Sequence, residues 1–129
     1  MDYFTRAKSL YMEKAQEIAH EDGKLRQLLK NAAEKIEKLT LHPKVQPILE
    51  PLMIFKRMIR AHKSGEFKVS AKSLALIVLG ILYFVSPMDI IPDFLPVLGF
   101  TDDLSVILAV FHAVKHEVQA FLDWERTKQ

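Results

Sequence analysis

The feature that most constrains this sequence is an uninterrupted apolar run of 12 residues, Leu74 to Val85, without a charged or strongly polar side chain. As a helix the run spans about 18 Å, which is short beside a bilayer hydrocarbon core of about 30 Å. It is apolar around its whole circumference, so either other helices or lipid must surround it. The sequence therefore predicts a central apolar helix and leaves its covering open.

Apolar residues at spacings of three and four predict amphipathic helices before this run. One stripe extends from Phe4 to Ile18 and a second from Leu25 to Leu39. The second stripe continues the phase of the first, which allows either one bent helix or two separate helices. We favour a break near Gly23, with Asp22 as the N-cap of the second helix.

Two more amphipathic helices flank the apolar run. Prolines 47 and 51 delay the first of them, which is predicted from about Leu52 to Lys63 with Pro51 in its first turn. Ser70 is expected to cap the apolar helix. The second is predicted as one helix from Leu104 to about Arg126. Its apolar stripe comprises Leu104, Ile107, Leu108, Phe111, Val114, Val118, Phe121 and Leu122.

These elements predict an all-α protein, because no segment shows the alternation of a half-buried strand. The expected architecture is a small bundle of about five helices around the apolar central helix, with a rigid loop rich in proline and aspartate before the last helix. The 129 residues are predicted to form a single domain. Basic amphipathic helices occupy residues 1–63, and a helical hairpin core occupies residues 70–126.

The segment from Tyr83 to Asp103 mixes prolines and aspartates with large apolar side chains, unlike a flexible linker. The pattern of this segment comprises Tyr83, Ser86, Pro87, Asp89, Ile91, Pro92, Asp93, Pro96, Gly99, Asp102 and Asp103. Through these residues the chain resembles the YkvA-like family, a mainly bacterial domain of unknown function, over about residues 70–114. The resemblance implies no established reaction and raises the expectation of membrane association.

The four aspartates of this segment have two interpretations. In the structural one, Asp89 completes a capping box with Ser86, and Asp93 forms an Asx-turn. Asp102 or Thr101 caps the last helix, and Asp103 lies in its first turn, where the helix dipole favours a negative charge. In the functional one, Asp89, Asp93, Asp102 and Asp103 supply oxygen ligands to a divalent cation such as Mg²⁺, Ca²⁺ or Mn²⁺. We favour the structural interpretation and expect no cofactor.

The charges of this chain are unevenly placed, although the net charge is only +2. Residues 1–72 carry 15 Lys and Arg against 9 Asp and Glu, whereas residues 73–129 carry 3 against 7. Cations concentrate immediately before the apolar run, where anionic lipid headgroups would select them. The predicted surface for an anionic partner comprises Lys56, Arg57, Arg60, Lys63, Lys68 and Lys72.

Two functions from different classes are compatible with these features. The first is a non-enzymatic YkvA-like module, without catalytic residues, that associates with a membrane through an apolar helical hairpin whose basic side faces the cytoplasm. Its expected partner is an anionic membrane surface or another protein, and no nucleic acid is expected because no binding motif accompanies the charge. The alternative is a cytoplasmic helical protein that binds a divalent cation through the aspartates, as in a phosphate-directed hydrolase.

Overall fold

The fold is described by a computed structural model that covers the backbone of residues 3–39, 46–85 and 96–128 and the side chains of residues 4–38, 46–85 and 105–128. All regular structure within these ranges is helical, so the predicted all-α class is confirmed. Six helices are described where about five were predicted. They are α1 (Tyr3–Ala19), α2 (Asp22–Leu39), α3 (Gln46–Ser64), α4 (Ala71–Val85), α5 (Pro96–Ala113) and α6 (Lys115–Lys128).

The apolar helix α4 lies at the centre of the bundle. Every residue from Leu74 to Phe84 is buried, on all sides of the helix. Helices α1, α2, α3 and α5 pack against it. The sequence left open whether protein or lipid surrounds the apolar helix. In the structure, neighbouring helices surround it.

The predicted apolar stripes of the first three helices face this core. Ala7 and Ala15 of α1 are fully buried, and the same holds for Phe55, Met58 and Ile59 of α3. On α2 the buried positions are Leu25, Leu28 and Ala32. The spacing of three and four residues thus identified the inward faces correctly, as expected for helices on the surface of a small bundle.

The helical structure is interrupted at His20 and Glu21, between α1 and α2. The break predicted near Gly23 is therefore confirmed. The carbonyl of Glu21 accepts the first hydrogen bond of α2, from the Leu25 amide at 3.0 Å. Asp22 is therefore the first residue of α2 and not its N-cap. Its carboxylate still lies in the first turn, where the helix dipole favours a negative charge.

Helix α3 begins six residues earlier than predicted, at Gln46, and Pro51 lies inside it. Proline removes one hydrogen bond from a helix interior, and here the carbonyl affected is that of Pro47, close to the N-terminus. Since Pro51 and Ile48 are buried, packing accounts for the additional turn. The expectation that Pro51 would mark the start of the helix was wrong.

The connection from α3 to α4 is a Schellman turn followed by a serine cap. Gly65 has a φ of 82°, and the Glu66 amide bonds the Ala61 carbonyl at 3.0 Å while the Gly65 amide bonds the His62 carbonyl at 3.1 Å. The Ser70 hydroxyl then accepts a hydrogen bond from the Ser73 amide at 3.2 Å. The predicted N-cap of the apolar helix is confirmed.

The predicted last helix differs from the structure at both its start and its middle. Helix α5 begins at Pro96, so Thr101 and Asp102 lie within it and do not cap it. A bend of 73° divides α5 from α6 near Val114, where we expected a continuous helix. One residue of the predicted apolar stripe, Leu108, is 42% exposed.

Residues 105–128 contain neither proline nor glycine, which are common local causes of a helix kink. Contacts with other parts of the bundle therefore explain the bend. The rings of Phe121 and Trp124 in α6 pack against Phe67, with centroids 5.3 and 5.4 Å apart. Arg57 of α3 also pairs with Glu125 of α6. These contacts place α6 across the α3–α4 connection, which a straight continuation of α5 could not reach.

Candidate functional site

A groove between α2 and α3 collects basic side chains from both helices. Helix α3 presents three cations at positions i, i+4 and i+7, and α2 presents two at i and i+4, so each set shares a face of its helix. Because the apolar stripes of α2 and α3 face the core, these basic faces point toward solvent. They lie along the line where the two helices meet, which we call the seam. The groove has a volume of about 350 Å³ and is lined by Arg26, Leu29, Lys30, Ala33, Lys56, Arg60 and Lys63.

Five cations, Arg26, Lys30, Lys56, Arg60 and Lys63, lie together along this groove. None of the described residues that line the groove carries a carboxylate. Among the side chains that the structure covers, none forms an ion pair with any of the five. We call the groove that these five side chains line the basic groove. Its uncompensated charge gives it a positive potential that attracts anions.

The other cations of the predicted anionic-partner surface lie elsewhere. Arg57 donates two hydrogen bonds to the Glu125 carboxylate, at 2.9 and 3.1 Å, so its charge is compensated by a bidentate pair. Lys72 lines a different cleft, between α1 and the start of α4. Lys68 is exposed in the α3–α4 connection. The sequence therefore identified three members of the basic groove, Lys56, Arg60 and Lys63, in its continuous basic segment.

Sequence reasoning missed Arg26 and Lys30. Their spacing of four residues on the polar face of α2 was a visible signal, but polar faces of amphipathic helices commonly carry such cations. Only the packing of α2 beside α3 gives them a shared role with Arg60.

An apolar pocket continues the same seam toward the other end of α2. It has a volume of about 210 Å³. Ile81 of the central helix contributes to its lining, and Met53, which is 42% exposed, lies on its α3 side. The pocket is lined by Leu29, Ala32, Ala33, Ile36, Glu37, Leu52, Met53, Lys56 and Ile81.

The structure describes only part of the proline-aspartate motif. Tyr83 is buried, and its ring meets that of Tyr11 edge to face with centroids 5.8 Å apart. Pro96 and Gly99 belong to the first turns of α5. Positions Ser86, Pro87, Ile91 and Pro92 of the motif lie outside the described residues.

The aspartates proposed as metal ligands also lie beyond the side chains that the structure describes. Asp89 and Asp93 fall within residues 86–95, and the backbone of Asp102 and Asp103 belongs to α5. Among described side chains, no group of three or more His, Asp or Glu residues could hold a metal ion. The divalent-cation site therefore stays a prediction.

A buried lysine lies at the carboxyl end of α4, next to this motif. Lys35 of α2 is only 6% exposed, and its ammonium donates a hydrogen bond to the Phe84 carbonyl. The same ammonium lies 4.5 Å from the centroid of the Phe84 ring. A cation at a helix C-terminus interacts favourably with the helix dipole, so Lys35 connects α2 to the end of the central helix.

Among the described side chains, two carboxylates have shifted pKa values, and both lie outside the basic groove. A hydrogen bond from Lys24 and the charge of Lys24 lower the pKa of Glu17. The pKa of Glu66 is lowered by a hydrogen bond from Lys128 and then by one from Ser64. Both carboxylates are exposed, so these shifts describe local surface pairs.

No single described helix is both long and apolar enough to cross a bilayer. Ser105–Ala113 and Lys115–Lys128 reach that length and composition only as a pair, with the 73° bend between them.

Fold and site together define a small all-helical protein built around one apolar helix, with a basic groove on its surface. Comparison with known proteins identifies the family of this protein. Residues 73–109 match a family described as a protein of unknown function, DUF1232. The chain is 35% identical over 77 residues to the uncharacterized membrane protein YkvA of Bacillus subtilis, across 59% of this chain and 73% of that protein. The chain belongs to the YkvA-like family. No solved structure matches it.

Proposed function

We propose that this protein is a non-enzymatic helical module that associates peripherally with an anionic membrane surface through the basic groove. The observation that carries the proposal is the set of five cations without a described acidic partner on two adjacent helices. Each Lys or Arg close to an anionic bilayer contributes about 1 kcal/mol. The Bacillus subtilis relative is called a membrane protein, which supports the same assignment.

The contact is placed at the α2–α3 face and not at an apolar hairpin. In a hairpin that enters lipid, α4 would expose apolar side chains, but Leu74 to Phe84 are buried by neighbouring helices. Met53 lies exposed on the α2–α3 face, on the helix that carries Lys56 and Arg60. Basic residues around an exposed apolar side chain are typical of interfacial membrane contacts. The cytoplasmic leaflet, which carries the anionic lipids, is the matching surface.

Vesicle sedimentation tests this proposal. We expect the protein to sediment with vesicles of phosphatidylcholine and phosphatidylglycerol, and not with phosphatidylcholine alone. Replacing Lys56, Arg60 and Lys63 together by Gln should weaken the partition coefficient by about 150-fold, since three cations contribute about 3 kcal/mol. Raising the ionic strength should release the parent protein, because exposed charges are screened.

A matched variant controls for total charge. Arg6, Lys14 and Lys115 are exposed outside the basic groove, and replacing all three by Gln removes the same charge. We expect this control to keep most of the affinity of the parent. If both triple variants lose affinity equally, the basic groove is not the contact. If the parent fails to sediment with anionic vesicles, the membrane proposal is wrong.

A further inference from the structure

The basic groove and the apolar pocket are two ends of one continuous seam between α2 and α3. Leu29, Ala33 and Lys56 line both of them. The two helices run antiparallel along the seam, so Arg26 lies near Lys63 at one end and Ile36 lies near Leu52 at the other. A molecule in the seam would therefore meet cations at one end and hydrocarbon at the other.

The apolar end has the size and lining of a hydrocarbon-binding pocket. Alanines 32 and 33 provide small side chains where α2 faces α3, and Ile81 of the central helix adds to the apolar lining. The pocket is open to solvent on one side, and its volume of about 210 Å³ accommodates a short stretch of hydrocarbon. Hydrocarbon in this pocket would gain the free energy of leaving water.

The charge distribution fixes the orientation of a bound amphiphile. Arg26, Lys30, Arg60 and Lys63 line only the basic groove, whereas Glu37 lines only the apolar pocket. An anionic headgroup is attracted to these four cations. Lys56 lies at the junction, where its methylene stem can cover the chain while its ammonium faces the headgroup.

We infer that the seam binds one anionic membrane lipid, with its phosphate in the basic groove and only the part of one acyl chain nearest the headgroup in the apolar pocket. The inference rests on the proposed function, because it uses the same basic groove, and it adds a defined ligand to a surface contact.

Calorimetric titration with dodecyl phosphate below its micelle concentration tests the inference. We expect binding of one molecule per chain. Inorganic phosphate, which lacks the chain, and dodecyl maltoside, which lacks the charge, should each bind at least tenfold more weakly. Equal binding of dodecyl phosphate and dodecyl maltoside would show a purely apolar site and would overturn the inference.

A variant that fills the seam distinguishes binding inside the seam from general electrostatic attraction to the protein. Ala33 is exposed and lines both ends, so Ala33→Phe should weaken dodecyl phosphate binding at least tenfold without removing a charge. Leu10→Phe, at an exposed site on α1, is the matched control and should bind as the parent does. Unchanged binding in Ala33→Phe would contradict the inference. If that variant fails to fold, Met53→Gln at the exposed edge of the pocket replaces it, with the same expected loss and no change of charge.

The two proposals fail in distinguishable ways. If only the proposed function is correct, anionic vesicles bind in a manner that depends on Lys56, Arg60 and Lys63, while Ala33→Phe binds dodecyl phosphate as the parent does. If only the inference is correct, anionic vesicles do not bind, but dodecyl phosphate binds and Ala33→Phe weakens it.

Discussion

Lys35 is the described charged side chain whose burial most needs an explanation. A lysine is rarely buried unless its ammonium is partnered. Here the ammonium bonds the Phe84 carbonyl, which belongs to the last turn of α4 and so has no partner further along that helix. Helix α2 thus satisfies a backbone group at the end of the core helix.

Removing this ammonium should destabilise the fold. We expect Lys35→Met, which keeps the apolar stem, to lower the free energy of unfolding by about 1–3 kcal/mol, because a charge-assisted hydrogen bond is lost. The measurement is urea denaturation followed by circular dichroism. Lys38→Met, at an exposed position of α2, is the control and should change stability by less than about 0.5 kcal/mol. Equal effects of the two substitutions would contradict this role of Lys35.

At the scale of elements, a carboxylate from α6 completes the N-terminus of α4. Glu117 accepts hydrogen bonds from the Ser70 hydroxyl at 2.7 Å, the Ser73 hydroxyl at 2.6 Å and the Ser70 amide at 3.2 Å. The first turn of a helix favours a negative charge. Glu117 therefore holds α6 against the start of the core helix and helps to determine the bend after α5.

A double-mutant cycle measures this contact. We expect Glu117→Ala to cost about 1.5–3 kcal/mol, since hydrogen bonds to a charged group are lost, and Ser70→Ala to cost about 1 kcal/mol as a lost cap. The two residues share a hydrogen bond, so the double variant should lose less than the sum of the single effects. Chemical denaturation of the four proteins gives the coupling. Strict additivity would show that the two residues act independently.

At the scale of the whole molecule, α4 and α5 approach closely at Gly80. A methyl group added there would lie 3.4 Å from Cγ2 of Val110, which is ordinary van der Waals contact. Glycine inside a helix costs about 1 kcal/mol relative to alanine. There is space for one methyl group and no more. The size of the substituted side chain therefore decides whether the free energy of unfolding rises or falls.

Gly80→Ala should therefore raise the free energy of unfolding by up to about 1 kcal/mol. Gly80→Leu should lower it by about 1–3 kcal/mol, because a larger side chain must displace Val110 in a packed core. Denaturant midpoints of both variants test this reversal of sign. Gly23→Ala, where nothing lies within 4 Å of the added carbon, isolates the contribution of helix propensity. A loss of stability in Gly80→Ala would show that the 3.4 Å contact with Val110 costs more than the gain in helix propensity.

The sequence by itself determined the helical class, the inward faces of α1, α2 and α3, the break before α2 and the serine cap of α4. Each depends on neighbours within one or two turns, so spacing and capping chemistry carry the information. It also located Lys56, Arg60 and Lys63, which lie on one face of a single helix.

The tertiary structure decided what covers α4, where α3 and α5 begin, and that the last helix bends at Val114. It also joined Arg26 and Lys30 to the cations of α3. These features depend on contacts between residues distant in sequence: Phe67 with Phe121 draws α6 across the bundle, and the packing of α2 beside α3 creates the seam. Local patterns hold no such information, because packing free energy between elements overrides propensity within them.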